Sequence, residues 1–519
     1  MKIVIIGGGA AGGTAAQFAR KQDRRAEIKV ISSEGYGQYS KCGLPYALSG
    51  IIPVEENLIE FSPGWFEKNK IEYVRNSRVV SIDSHSKKLR IKRVKKNADS
   101  LSGKDEDNTA KVTNPAVSEY EESYDTLIIA TGASASIPPI KNIDAVKKGV
   151  FTLREMEDVK KIKKFIEQIC ESSGAKSEDG SNENKKLNAV VIGAGLIGLE
   201  AAEALHEKGM DVTVVEYCQS VLPQMVDPDI ASKITQKLNA SGIRVLTGHK
   251  VVSVNCAKSG EWQVHSDGAA GTKDTITDVQ VEKASLSPSS SESGEKVSLT
   301  CNLLIVAAGQ RPNTELAASA GIDIGPARGI KVDAQCRTNI ESVFACGDCT
   351  EYPDFITGKP VAIGMGTIAA RQGKVAGINA AGGNASMPSG ILNTRCTKLF
   401  DYEIAAVGPL IDTLEKITGK KPVVATMTAR SLPHYFPGGE EVVVKLAVDP
   451  ETYQILAAQA VGAGAYGRIN TFASAILSKT DARAFAMLET CYAPPVAPTF
   501  DALTLSCDMV LLKMERKRN

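Results

Sequence analysis

One pattern is written twice in this chain. The stretches KIVIIGGGAAGGTAAQFARKQDRRAEIKVIS (2–32) and LNAVVIGAGLIGLEAAEALHEKGMDVTVVE (187–216) both run from a β-branched segment through a glycine cluster into an alanine-rich segment, then back into a β-branched one. A nearly continuous apolar run is how a parallel strand covered on both faces reads. The alanine-rich segment suits a helix, so each copy is a βαβ unit. Each copy is followed downstream by a further strand ending in small residues, YDTLIIATGA (124–133) and CNLLIVAAGQRPN (301–313). Two copies of one supersecondary pattern predict two nucleotide-binding domains, and the lack of short-period repetition excludes a solenoid.

From about residue 391 the glycine-turn pattern stops. EVVVKLAVDP and TYQILAAQAVG (441–462) read as strands about a turn at Asp449 and Pro450, and KTDARAFAMLET (479–490) reads as a short helix. The final DALTLSCDMVLLKMERKRN has the basic end that suits a helix C-terminus. The expected fold class is therefore α/β, with two Rossmann-like dinucleotide-binding domains and a C-terminal α+β domain. Its boundaries are set at 1–150 and 316–390 for the first domain, 151–315 for the second and 391–519 for the third. At 519 residues the chain is long enough for that number of domains. Three polar stretches, 96–123, 171–186 and roughly 268–298, read as surface insertions without chemistry.

Composition narrows the classes further. Lys plus Arg (61) nearly cancels Asp plus Glu (60), which gives no footprint for nucleic acid. The eleven cysteines are irregularly spaced, and MKIVIIGGG carries no leader pattern, so a reducing cytoplasm is expected. No apolar run reaches membrane-spanning length. The stretch 455–476 comes nearest, and Arg468 and Asn470 interrupt it.

The chemistry is carried by glycines first. In Gly7-Gly8-Gly9-Ala10-Ala11-Gly12, Gly7 permits the tight turn, Gly9 lets the backbone approach a pyrophosphate, and Gly12 lets helix and strand pack closely. The acid for the ribose is assigned to Glu34, 22 residues after Gly12, with Ser32 at the strand end as the alternative. The second cradle, Gly193, Gly195 and Gly198, is followed by a strand ending in Glu216, whose carboxylate suits both ribose hydroxyls of NADH. No arginine follows it for the extra phosphate of NADPH, so NADH is the expected donor and NADPH the second option. Two dinucleotide sites in one chain make a relay if the first holds a flavin, FAD, and the second a nicotinamide. Gly347 and Asp348, in VFACGDCTE, fit the flavin side: Asp348 is placed for a ribityl hydroxyl, with a following helix facing the pyrophosphate. Cys346 and Cys349 lack the further ligands a zinc site needs, so no metal is expected.

Cys42, in YSKCGLPYALSG, has no second cysteine within a hundred residues, which excludes a local Cys-x-x-Cys pair. Together with VIIGGGAAGG, LIIATGA, VIGAGLIGLEAAEAL, LIVAAGQRPNT, VFACGDCTE and CYAPP, it makes the chain resemble the FAD-dependent pyridine nucleotide–disulfide oxidoreductases of glutathione-reductase-like fold. Within them it is similar to the single-cysteine branch of coenzyme A disulfide reductases, NADH oxidases and NADH peroxidases. The resemblance implies FAD in the domain built from 1–150 and 316–390, NAD(P)H in 151–315, and dimerisation through 391–519. It implies that Cys42 lies beside the flavin at the start of the helix carrying GLPYALSG, as a low-pKa thiolate. It also implies cofactor roles for Thr131, Gly132 and Gly309, and a place facing the flavin for Glu200.

The acceptor is the open point. Disulfide reductases of this branch form a mixed disulfide with coenzyme A, whereas oxidases and peroxidases pass through a sulfenic acid. The histidine that steadies the sulfenate in peroxidase relatives is replaced here by Ala10 and Ala11. Tyr435 and Tyr492 match the tyrosines that the opposite subunit of a homodimer brings to a shared active site. Leu196 stands where many relatives carry a tyrosine over the flavin, a departure that the resemblance reads as a nicotinamide pocket either more open or more accessible to oxygen. Arg20 and Arg24 are the expected contacts for the phosphates of coenzyme A. The leading expectation is electron transfer from NADH through flavin and Cys42 to coenzyme A disulfide, with reduction of dioxygen or peroxide as the alternative.

Overall fold

Parallel strands with both faces covered need crossover helices, and the two βαβ stretches supply them. A computed structural model describes residues 1–94, 119–172, 186–256, 274–284 and 296–518. The chain divides into two compact units, 1–42, 56–134 and 311–391 in one, and 43–55, 135–310 and 392–519 in the other.

The first unit is built on a five-stranded parallel sheet in the order Val343–Ala345, Thr126–Ile129, Lys2–Ile6, Glu27–Ile31, Ile71–Val74. Ile3, Val4 and Ile5 have no exposed surface, as a strand covered on both faces requires. One face packs Ile3, Ile5 and Ile128 against the helices Ala10–Gln22 and Gly366–Ala380. These two helices meet backbone to backbone: a Cβ on Gly373 would stand 2.3 Å from Ala11 O, and one on Gly377 2.2 Å from Ala15 O. The other face packs Val4, Ile6, Leu127 and Ile129 against Leu89 and Ile91 of an antiparallel three-stranded sheet.

The second unit repeats the parallel arrangement in the order Val150–Phe151, Leu303–Val306, Asn188–Ile192, Asp211–Glu216, Arg244–Thr247. It also holds the C-terminal domain. This is a five-stranded antiparallel sheet in the order Arg395–Leu399, Tyr402–Val407, Ile455–Gly462, Glu441–Val448, Val423–Arg430, covered by Ala465–Leu477 and Ala502–Arg518. The short helix expected in 479–490 is Ala482–Ala486, capped by the Asp481 carboxylate.

The compact units switch at 134 and 310, and Val150–Phe151 is the edge strand of the second sheet. Two expectations about the polar stretches need adjustment. The polar stretch 268–298 lies partly outside the described residues, but Ile276–Lys283 within it is the central strand of an antiparallel sheet. Alternation decided that element, since Val279 and Val281 are buried while their neighbours are partly exposed. Of 96–123, the described end Glu119–Ser123 is likewise a strand, paired with Lys88–Arg93. Among the described residues no helix is long and apolar enough to cross a membrane.

Candidate active site

The first cradle is shaped by what a side chain would strike. Gly7 has φ +109°, and a Cβ on it would stand 2.1 Å from Ala130 O; one on Gly12 would stand 1.9 Å from Gly7 O. A Cβ on Gly9 would meet nothing within 4 Å, so the open side of the loop is there. The helix Ala10–Gln22 begins at that point with no acidic residue in its first turn and no side-chain cap. Its first amides are available to an anion. Beside the loop, Gly347 closes against Ala11, with 2.7 Å from its would-be Cβ to that methyl. Gln372 accepts from Gly347 N at 2.8 Å and from Thr350 Oγ1 at 2.9 Å, while its buried Nε2 has no partner among the described residues. The pyrophosphate of FAD fits an open, donor-rich loop of this kind.

Thr131 and Gly132 are tied to the RPN segment. Thr131 Oγ1 donates to Asn313 O at 2.7 Å, Asn313 Nδ2 returns a bond to Thr131 O at 2.9 Å, and Asn313 N donates to Gly132 O at 2.9 Å. Asp348 is half-buried at the loop that follows Val343–Ala345. The strand Thr350–Pro353 comes after it, and the following helix starts at Gly366. Cys346 and Cys349 are fully buried, burial pushes both thiols up, and Cys349 Sγ donates to Cys346 O at 3.4 Å. No group of side chains that could hold a metal occurs among the described residues.

Two side chains assigned to ligands from the sequence make protein hydrogen bonds in this unit. Glu34 was placed on the ribose, but its carboxylate accepts from Tyr39 OH at 2.5 Å and from Lys41 Nζ at 2.8 Å. It lies beyond the strand end, where Ser32 is the buried residue. Arg20 was placed on coenzyme A phosphate, but its guanidinium donates to the carbonyls of Asn69, Asp23, Arg24 and Lys70 at 2.7–3.3 Å. Four of its five N–H donors are spent on these carbonyls, which leaves one for a phosphate. Arg24 is exposed.

Cys42 is exposed, in the 3₁₀ turn Lys41–Gly43 that leads into Leu44–Ser49. Its sulfur also lies by a second helix that sequence reasoning did not connect to it. A Cβ on Gly366, the first residue of Gly366–Ala380, would stand 3.9 Å from Cys42 Sγ. That helix has fifteen residues and no acid in its first turn, so its positive end favours the thiolate.

In the second unit the same glycine logic holds. Gly193 has φ +100°, a Cβ on Gly198 would stand 2.0 Å from Gly193 O, and one on Gly195 would meet nothing within 4 Å. Glu216 is buried and braced by the amides of Ala194 at 2.6 Å and Cys218 at 2.7 Å, so its carboxylate lies against the glycine loop. Gly309, φ +109°, accepts from Ser136 N through its carbonyl at 2.9 Å. Glu200 accepts from Thr397 Oγ1 at 2.6 Å. Thr397 was not singled out in the sequence, because nothing local marks a partner so distant in the chain. Tyr435 and Tyr492, far apart in sequence, share a hydrogen bond of 2.7 Å between their hydroxyls, and both are exposed.

Burial holds Glu200 above the usual carboxylate range, with the Thr397 bond partly offsetting it. A raised acid contributes stability that is present below its ordinary value and lost as pH rises through the raised one. Glu200→Gln is therefore expected to match the parent's melting temperature at pH 4.5 and exceed it at pH 8, in thermal melts across that range.

Residues 1–373 match the pyridine nucleotide-disulphide oxidoreductase family, and residues 394–503 match its dimerisation domain. The chain is 34% identical to an NADH oxidase of Methanocaldococcus jannaschii over 100% of both chains. It is 30% identical to a CoA-dependent NAD(P)H sulfur oxidoreductase of Pyrococcus abyssi, over 97% of this chain and 96% of that one. The solved NAD-dependent persulfide reductase of A. fulgidus superposes with a TM-score of 0.82 at 31% identity, covering 99% of this chain and 84% of that one. The chain therefore belongs to the pyridine nucleotide-disulphide oxidoreductase family and is an FAD-dependent NAD(P)H:disulfide oxidoreductase.

Proposed function

We propose that this enzyme reduces a small disulfide of the coenzyme A type with NADH, with FAD in the first cradle, NADH in the second and Cys42 as the one protein thiol in the exchange. The observation that carries the reading is the exposed sulfur of Cys42 beside the positive end of Gly366–Ala380. When bound, FAD supplies the two-electron relay from nicotinamide to sulfur. Glu216 accepts from the ribose hydroxyls of NADH and disfavours a 2′-phosphate.

The Cys42 thiolate attacks one sulfur of the disulfide and expels a coenzyme A thiolate, which takes up a proton. Two electrons from NADH then cleave the mixed disulfide on Cys42, restoring its thiolate and releasing the second coenzyme A as a thiol. The balance is NADH, one proton and one disulfide in, NAD⁺ and two thiols out. Arg24 is the remaining arginine for the coenzyme A phosphates.

Tyr435 and Tyr492 are read as the proton source for the leaving thiolate, delivered to the site of a second copy. Their shared hydrogen bond raises Tyr435 above the usual phenol range, so it is held as a phenol. Beyond them the dimerisation domain exposes Met487 at 84%, Val496 at 71% and Phe500 at 68%, side chains suited to being covered by a partner. Tyr435→Phe and Tyr492→Phe are each expected to lower kcat with coenzyme A disulfide about 10²-fold, leaving reduction of the flavin by NADH unchanged in stopped flow.

The alternative acceptor, dioxygen or peroxide, is favoured by the name of the M. jannaschii relative and by Leu196 at the mouth of the second cradle. Against it stand Ala10 and Ala11, which offer a sulfenate no imidazole. Steady-state NADH consumption with coenzyme A disulfide, air and peroxide decides between them. The intact mass of Cys42 as isolated reports a coenzyme A adduct or an added oxygen.

A further inference from the structure

The two cradles can be aligned residue by residue. Ile6 pairs with Ile31 at the last register position of one strand pair, and Ile192 pairs with Val215 at the last position of the other. Ser32 is thus the counterpart of Glu216, and Gly8 the counterpart of Ala194. In the second cradle a carboxylate lies against the amide of residue 194. In the first, the acid is missing and Glu34 is turned to Tyr39 and Lys41. The space beside Gly8 holds Tyr73 instead, whose hydroxyl would stand 2.0 Å from a Cβ on that glycine. Tyr73 comes from the neighbouring strand Ile71–Val74, with its ring stacked on Phe66 at 4.2 Å.

The hydrogen-bond inventory decides what this pair can take. Tyr73 OH donates to Tyr36 O at 3.0 Å. Ser32 Oγ accepts from Glu34 N at 3.2 Å, and Ser32 is the neighbour that partly offsets the effect of burial on the Tyr73 phenol. The Tyr73 proton is spent on Tyr36 O, and each of the two oxygens keeps a lone pair. Like a carboxylate, the Tyr73 oxygen can then only accept, and Ser32 offers a second accepting oxygen; unlike a carboxylate, the pair is neutral. We infer that Ser32 and Tyr73 together receive the ribose hydroxyls of the flavin's adenosine, in the place the acid holds in the second cradle. Gly8 is required to admit Tyr73, a role apart from those of Gly7, Gly9 and Gly12.

This inference rests on the placement of FAD in the first cradle proposed above, and its test separates the two. FAD is titrated into apoprotein and followed by flavin fluorescence. Ser32→Ala and Tyr73→Phe are each expected to raise the Kd about fivefold to tenfold, and Glu34→Gln less than twofold. Tyr73→Phe retains the ring on Phe66, and circular dichroism checks that both variants fold. An FAD analogue with a 2′,3′-dideoxyadenosine is expected to bind the parent and both variants alike. A tenfold loss in Glu34→Gln with normal binding in Ser32→Ala and Tyr73→Phe overturns the inference. Gly9→Asp puts an acid into the open mouth of the loop and is expected to abolish FAD binding. Normal FAD affinity in Gly9→Asp overturns the placement itself. Loss there, with Ser32→Ala and Tyr73→Phe unaffected, overturns only the hydroxyl pair.

Discussion

Cys42→Ser is expected to purify with FAD, to be reduced by NADH as the parent is, and to turn over coenzyme A disulfide at least about 10³-fold more slowly, roughly 4 kcal/mol of barrier. The nucleophile in disulfide exchange is a thiolate, and a serine hydroxyl neither ionises in the working range nor attacks sulfur comparably. Nothing nearby in sequence can stand in, because the next cysteine is Cys170. The substitution is nearly isosteric at an exposed position, so the loss is to be read as chemistry and not as misfolding. Rapid-mixing absorbance separates flavin reduction from turnover. Full disulfide reductase activity in the serine protein would sink the proposed cycle.

The second large effect is on folding. Lys445 is 5% exposed and Asp227 1%, and the ammonium lies 2.8 Å from Asp227 Oδ2, 2.9 Å from Asp229 Oδ1 and 3.4 Å from Asp412 Oδ1. Asp227 precedes the helix Pro228–Ala240, and Lys445 stands on Glu441–Val448, so the cluster ties the second nucleotide domain to the C-terminal sheet of the same unit. Lys445→Met leaves Asp227 buried without its counter-ion and is expected to destabilise by about 3–5 kcal/mol in urea melts. Adding Asp227→Leu is expected to restore part of that loss, because two neighbours in one network are not additive. Burial lowers the Lys445 pKa, but the bonds to Asp227 and Asp229 outweigh it and the net direction is upward. The cluster's contribution is thus present below the ordinary lysine value and fades as pH rises through the raised one. A Lys445→Met protein as stable as the parent at neutral pH would remove the cluster from the account of stability.

What was legible in the sequence followed local rules. The helix after the first glycine loop was readable from AAGGTAAQFARKQ to the residue, because strand, turn and helix are coded side by side. The roles of Gly7 and Gly12 follow from the same local geometry. What escaped was set by partners distant in the chain. Glu34 looked free for ribose until Lys41 and Tyr39 curled back onto it, and Arg20 looked free for phosphate until Asn69 and Lys70 came beneath it. The strand Ile276–Lys283 was hidden by polar flanks, although its own alternation was clear. Gly366 had no visible link to Cys42, since only the fold brings that helix to the sulfur.

The backbone-to-backbone seam at Gly373 and Gly377 carries a consequence for how this protein tolerates variation. Both glycines lie away from the open loop at Gly9, yet even alanine there would drive the Ala10–Gln22 helix, and the loop it carries, off the sheet. A saturation library scored for colour should therefore show a colourless stripe along one helix flank, as unforgiving as the glycine fingerprint itself. Searches for altered flavin affinity are better begun elsewhere.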